Sequence, residues 1–481
     1  MVALALWTWA SWVCANHVRF HAVERLSDNQ IAFRISWDNA WNLSPENSPG
    51  NHDAVWVFGK VFFPRRHLGI LSAFSPELDV FVPENGTGVM LKTKSYGQTG
   101  VANAACTLTV SMPPGTGSVR FYAVEMVYVP AGPFFLGDGA SKFALSAGNG
   151  EPLEVKSEAA LNPGNGAGDL AAGAAHLPDA PLPEDFPKGF ADFYVMKYEV
   201  SQRQYADFLN SLTLEEQARH MNTEADVGAN PLLTGNPRRN GVVVARRGDA
   251  RPCLLALDGD GDGVFDEPED GASRACSGIA WPDAAAFLDW AALRPMTELE
   301  FEKVCRGPEY PLPKGFPWGT PFVKNAVEIV ADGTSAETVA DVPEPGQGLA
   351  NHGGRFDEPF VWGPLRCGFA ARETSERVAA GAGFFGVHDL GGNLWEPCVS
   401  VKFPVFDGAH GDGELTEGLA DVPHWPGPEG VILRGGGWNS LVLNDFDYEF
   451  RDLAVSDRFY FNLVHNVRRN TAGIRGVISL R

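Results

Sequence analysis

The side chains with the clearest capacity for chemistry are the carboxylates of residues 258–269, DGDGDGVFDEPE. Asp258, Asp260 and Asp262 stand at alternate positions, Gly263 is sixth, Asp266 ninth and Glu269 twelfth. That is the spacing of an EF-hand-type calcium loop: alternate carboxylates converge on one hard cation, glycine permits the sharp turn, and the last Glu closes the shell in bidentate fashion. Without a cation, five such charges repel one another. A solvated acidic loop is the plain alternative, but every ligand position matches and calcium is the expected cofactor. The flanking helices of a full EF-hand are not evident, so an isolated loop is predicted, with Cys253 and Cys276 on either side placed to cinch it.

A second group lies in residues 439–472, NSLVLNDFDYEFRDLAVSDRFYFNLVHNVRRNTA. Phe446, Tyr448, Phe459 and Tyr460 alternate with Asn444, Asn462, His465 and Arg468. Aromatic rings supply contact area at low entropic cost and short polar side chains supply adaptable hydrogen bonds, which is the chemistry of a binding face. Strand alternation would turn about half of them inward. His388, His410 and His465 are far apart in sequence, and a lone histidine is more often hydrogen-bonded than a metal ligand.

The elements that must position these groups divide in two. A chain of 481 residues, 44% of them hydrophobic, is long for one core, so two domains are expected. The net charge of −22 excludes a phosphate-binding surface of the kind nucleic acid needs, and acidity suits calcium. No apolar run approaches the eighteen or so residues of a membrane span, so no membrane insertion is expected. Residues 1–15, MVALALWTWASWVCA, read either as the apolar core of a secretory signal or as a buried first strand. Removal of a signal would take Cys14 and leave six cysteines, an even number compatible with a secreted or cell-surface protein, or with six buried thiols.

Residues 16–124 alternate at period two, as in QIAFRISW and AVWVFGKVFF, between turn-rich pieces, and predict an all-β sandwich whose Trp and Phe side chains form the core. From residue 125 the pattern changes. Pro130 and Gly132 turn the chain between strands, and residues 139–190, rich in Gly, Ala and Pro, predict a long surface loop. Three helices follow: one capped by Ser201, one near Trp281 with Pro282 in its first turn, and one at Thr297, where TELE supplies a capping box. Short strands and loops complete an α+β domain.

Four ordered motifs carry a resemblance across residues 125–481. They are MVYVPAGPFFLGD, FYVMKYEVSQRQYADFLN, LRPMTELEFEKVCRG and the C-terminal GVHDLGGNLWEP with LRGGGWNS and AGIRGVISLR. Together they resemble the formylglycine-generating enzyme (sulfatase-modifying factor) family, which has a variant of the C-type lectin fold. The N-terminal SWDNAWN stretch looks like the module that accompanies secreted bacterial members. The resemblance implies a calcium site at Asp389, Gly392, Leu394 and Glu396; a further site near Asn351 and His352 matches only loosely. It also implies where catalysis is lost. The family's two copper-binding cysteines fall at Ser440 and Asp445, and a hydroxyl with a carboxylate cannot replace a soft thiolate pair. No cysteine follows Cys398, and the family's disulfide partner for Cys305 is missing. The helical domain that gives related iron enzymes their histidines is also lacking, so neither copper nor iron is expected.

Residues 439–472 contain no Lys, Gln, Met or Trp and a single Glu. Those five types make up 67 of the 481 residues, so about five would be expected in 34. Almost every residue there can be encoded by a codon ending in a pyrimidine. This is similar to the variable proteins of diversity-generating retroelements, which randomise asparagine codons at the C-terminal end of the same fold. The expectation is a ligand-binding protein of receptor or adhesin type, without catalysis, for a protein or glycan ligand. An oxidoreductase using a non-standard site and a structural component of a surface assembly are the rivals.

Overall fold

A computed structural model describes residues 18–46, 49–62, 65–112, 116–173, 177, 180–354, 359–372, 375–440 and 451–480. The chain forms two compact units, the first running to Met126 and the second from Val127 to Leu480. Among the described residues the regular structure is mostly strand, with four α-helices.

The first unit has two antiparallel sheets. One orders Arg19–Ser27, Gln30–Asn42, Gly97–Ser111 and Gly69–Phe74. The other places Asp53–Phe62 beside Val119–Val129 and Val89–Thr93, with Leu78–Phe81 outermost. The period-two pattern sends alternate side chains inward, so Phe33, Ile35 and Trp37 share one apolar cluster with Val55, Val57, Leu91 and Phe121. The buried Asp53 joins the two sheets: one oxygen accepts the Trp37 indole N–H at 3.2 Å, the other the Trp41 amide at 3.0 Å.

The second unit is α+β. Its helices are α1 (Gln202–Leu209), α2 (Leu214–His220), α3 (Trp281–Trp290) and α4 (Glu298–Arg306). The predicted caps form. Ser201 Oγ accepts the Gln204 amide at 3.2 Å, and Thr297 Oγ1 accepts the Glu300 amide at 3.1 Å while Glu300 reaches back to the Thr297 amide at 2.9 Å. Among the strands, Gly476–Ile478 pairs with both Phe193–Met196 and Arg294–Pro295. At the centre, Glu298 of α4 takes Arg434 at 2.9 Å and also pairs with Arg458, all three fully buried. A carboxylate held by two guanidiniums is a tolerable buried charge.

Residues 139–190 differ from the expected loop. Leu145–Ala147 pairs with Leu170–Ala172, and Leu153–Val155 pairs with Phe134–Leu136. Leu145, Val155, Leu170, Leu182 and Phe186 are buried in one cluster with Leu299, Val401 and Phe406. Short alternating pairs such as Leu145 with Ala147 are too brief to read as strands in sequence, and the side chains that cover them come from far along the chain. Among the described residues, no helix is long and apolar enough to cross a membrane.

Candidate functional site

The second unit contains a cavity of about 730 Å3. Its walls are the 232–236 turn, the start of α3, Asn439 and residues 466–471. Asp283 organises it. At the third position of α3 its Oδ2 accepts the Ala280 amide at 2.9 Å, the bond a helix N-terminus requires. The same carboxylate takes Arg468 through both oxygens at 2.9 Å and the His220 Nδ1 at 2.9 Å. Arg468 also donates to the Arg219 carbonyl at 2.7 Å, so one guanidinium joins the end of α2 to the start of α3.

The C-terminal wall is pinned by its backbone. The Gly278 amide donates to the Arg469 carbonyl at 2.8 Å, the Trp438 indole to the Asn470 carbonyl at 2.7 Å, and the Trp395 amide to the Thr471 carbonyl at 2.8 Å. On the C-terminal segment these bonds use the main-chain carbonyls of residues 469–471, beside the side-chain anchor at Arg468. Asn466 and Val467 are exposed. Arg469 is half-buried, makes no ion pair among the described residues, and its buried Nε has no partner there.

The binding residues expected from sequence separate into three groups. Asn444, Phe446 and Tyr448 lie outside the described residues, as does Asp445. Arg468 lines the cavity. The others do not line it, and of these only His465 is fully buried. Phe459 is half-buried, edge-on to Phe143 at 5.1 Å and covered by the Arg451 guanidinium 3.8 Å from its ring. Tyr460 packs edge-on against Trp395 at 5.0 Å. His465 is completely buried, its carbonyl accepting the Trp281 amide at 2.9 Å; burial, then the nearby Arg469 charge, pushes its pKa down to about 4. Asn462 is exposed and accepts Lys402 Nζ at 2.8 Å. Sequence reasoning missed Asp283 and Arg469. An acid at the third helical position after Pro282 was the available signal for the first; nothing local marks the second.

The acidic loop gathers only part of its expected ligand set. Carboxylate oxygens of Asp258, Asp260 and Asp262 lie within 4.8 Å of one another. Asp266 turns away, pairing with Arg203 and accepting the Leu257 amide at 3.0 Å, and Glu269 is exposed apart from the group. The carboxylate that staples the loop is Asp270, which takes the Gly259 amide at 3.0 Å and the Glu267 amide at 2.7 Å. Cys253 and Cys276 form no disulfide; both are buried free thiols, as are Cys106, Cys305, Cys367 and Cys398.

Around Asp389 and Glu396 the structure buries three acids. Asp389 accepts the Gly368 amide at 2.5 Å, Glu396 Oε1 accepts Arg475 Nε at 2.6 Å, and Glu199 accepts the Leu394 amide at 2.9 Å. Burial, reinforced by Asp389 and Glu396, holds the Glu199 carboxyl well above its usual range, and burial raises Asp389 to about 6. Gly392 sits at φ 89°, where a Cβ would come within 2.6 Å of the Asn351 carbonyl. Glu396 Oε2 is buried without a partner among the described residues. That orphaned oxygen beside Asp389 and Glu199 fits a cation, with Arg475 the counter-charge already paired to Glu396.

Ser440 is buried and closes the RGGGWNS turn: its Oγ accepts the Gly437 amide at 3.0 Å. Burial holds the Cys305 and Cys398 thiols well above the ordinary thiol range.

An α+β unit with four helices among the described residues, an RGGG turn fastened to the GGNLWE stretch through the Gly392 amide and Gly435 carbonyl at 2.8 Å, and a cavity beside them define the class of domain. Residues 119–478, about three quarters of the chain, match the sulfatase-modifying factor enzyme 1-like domain, and the chain belongs to that family. No curated protein matches it.

Proposed function

We propose that this chain is a ligand-binding protein of receptor or adhesin type, secreted or displayed at the cell surface, with a C-type lectin-like domain behind a β-sandwich module. Its ligand, a protein or a glycan, occupies the cavity walled by residues 466–471. One observation carries this reading: apart from Arg468, which Asp283 holds, the wall is fastened by its main-chain carbonyls at Arg469, Asn470 and Thr471, so the other side chains of residues 466–471 can vary at little cost to the fold. Diversification of the exposed positions within residues 439–472 would exploit that freedom, while buried ones such as Arg458 and His465 stay with the scaffold. A role without catalysis is supported by Ser440, whose hydroxyl is engaged within its own turn where the family resemblance calls for a copper thiolate.

Calcium is proposed at Asp258, Asp260 and Asp262, and at Asp389 with Glu396 and the carbonyls of Gly392 and Leu394. The convergent oxygens of the first group and the orphaned Glu396 Oε2 support these assignments. In both places a bound cation would offset like charges that otherwise repel.

The test is a glycan and peptide array probed with the full chain, beside the variant Thr234→Trp, which fills an exposed position of the cavity wall. Ligands of the parent protein should be lost by the variant at unchanged melting temperature. Retained binding would refute the assignment, and oxygen consumption with a cysteine peptide would favour an oxidoreductase.

A further inference from the structure

We infer that the ligand of this cavity carries an oxyanion, a carboxylate or a sulfate, on a hydroxylated small molecule such as an acidic sugar, and that Arg469 is the residue that binds it. This deepens the reading that the cavity is a ligand site and rests on it.

The charges around the cavity make the case. Its walls hold three arginines, Arg219, Arg468 and Arg469, and one acid, Asp283. In a chain with net charge −22, an arginine-rich cavity runs against the composition of the whole. Both oxygens of Asp283 are already taken by Arg468. Arg219 meets Glu417 at 3.2 Å, an exposed and therefore weak pair. Arg469 differs from both: among the described residues it makes no ion pair and its buried Nε has no partner. Only the Arg469 Nε is buried without a partner among the described residues; the rest of the half-buried fork stays accessible, and its planar geometry matches a carboxylate or sulfate.

The neutral part of the ligand follows from the rest of the lining. Asn236, Asn439, Asn466 and Asn470 contribute amides, each able to donate and accept, which is what a set of hydroxyl groups requires. A volume of about 730 Å3 lies in the range of small-molecule sites.

The experiment titrates the full chain with glucuronate, glucose 6-sulfate and glucose by saturation-transfer NMR. At least one charged sugar should bind about tenfold tighter than glucose, through a charge-assisted hydrogen-bond pair; which of the two it is separates carboxylate from sulfate. Arg469→Gln should reduce that sugar to the affinity of glucose, and Arg469→Lys should keep part of the preference because it keeps the charge but not the fork. Equal affinity for charged and neutral sugars, a preference that survives Arg469→Gln, or binding of none of the three would overturn the assignment. Val467→Trp, which narrows the cavity from an exposed position, distinguishes the two claims. Sugar binding without charge preference that is lost in this variant removes only the oxyanion; sugar binding that persists in it removes the cavity as the site.

Discussion

Replacing Asp283 by asparagine perturbs the cavity at its organising point. The carboxylate accepts four hydrogen bonds near 2.9 Å: one from the Ala280 amide, two from Arg468 and one from the His220 ring. An asparagine of nearly the same volume offers one acceptor oxygen and sets an NH2 against the other donors. Either the helix cap or the Arg468 fork is lost, and the guanidinium has no counter-charge. Breaking a buried ion pair by removing one partner costs about 3–5 kcal/mol. Asp283 is buried but the Arg468 side chain is 29% exposed, so solvent screening lowers the expectation to roughly 2–3 kcal/mol. For a unit running from Val127 to Leu480 that corresponds to a fall in Tm of roughly 3–4 °C. Calorimetry on the full chain reads it directly, with Arg219→Gln as the control. The Arg219–Glu417 pair is exposed, so the control should stay within about 0.5 kcal/mol of the parent. An Asp283→Asn transition within about 1 °C of the parent would refute the claim that this carboxylate holds the cavity wall.

Three other outcomes are expected. Asp289 accepts the Asp421 amide at 3.2 Å, and burial, with the Asp412 and Asp421 charges, raises its pKa to about 7. Its folded state therefore binds a proton that the unfolded chain releases near pH 4, so its contribution to stability is lost as pH rises from about 4 through 7; Asp289→Asn should gain in Tm relative to the parent between pH 5 and pH 8, and a difference independent of pH contradicts this. Calcium should raise the Tm of the parent and chelation should lower it; the part of that response due to the acidic loop should vanish in a variant carrying Asp260→Ala and Asp262→Ala, and a melting curve indifferent to chelator removes both calcium proposals. The thiols at 106, 253, 276, 305, 367 and 398 are free and buried, so a reductant should leave Tm unchanged and alkylation followed by mass spectrometry should modify them only after denaturation; a Cys253–Cys276 disulfide in the mass map would contradict the structure.

What was legible in the sequence was local. Ser201 and Thr297 reach groups three residues away, so their caps follow from the sequence, and the period-two strands of the first unit announce their own buried face. His465 shows the opposite case. It stands among exposed polar residues, and what buries it comes from the start of α3 and from Pro428, whose carbonyl accepts the His465 amide at 3.4 Å. Asp266 likewise occupies the ninth position of a calcium loop by spacing, yet Arg203 of α1, sixty-three residues away, claims its carboxylate. The cavity is assembled from a turn, two helix ends and a C-terminal segment, and no single stretch of sequence contains enough of it to be read.

The measurement that bears most directly on the ligand-binding claim is a hydrogen-exchange footprint of the full chain with an array-selected ligand bound. Protection should rise in residues 232–236 and 466–471 and at the start of α3, the walls of the cavity. Protection confined to the first unit, or spread over the second without these segments, would contradict it.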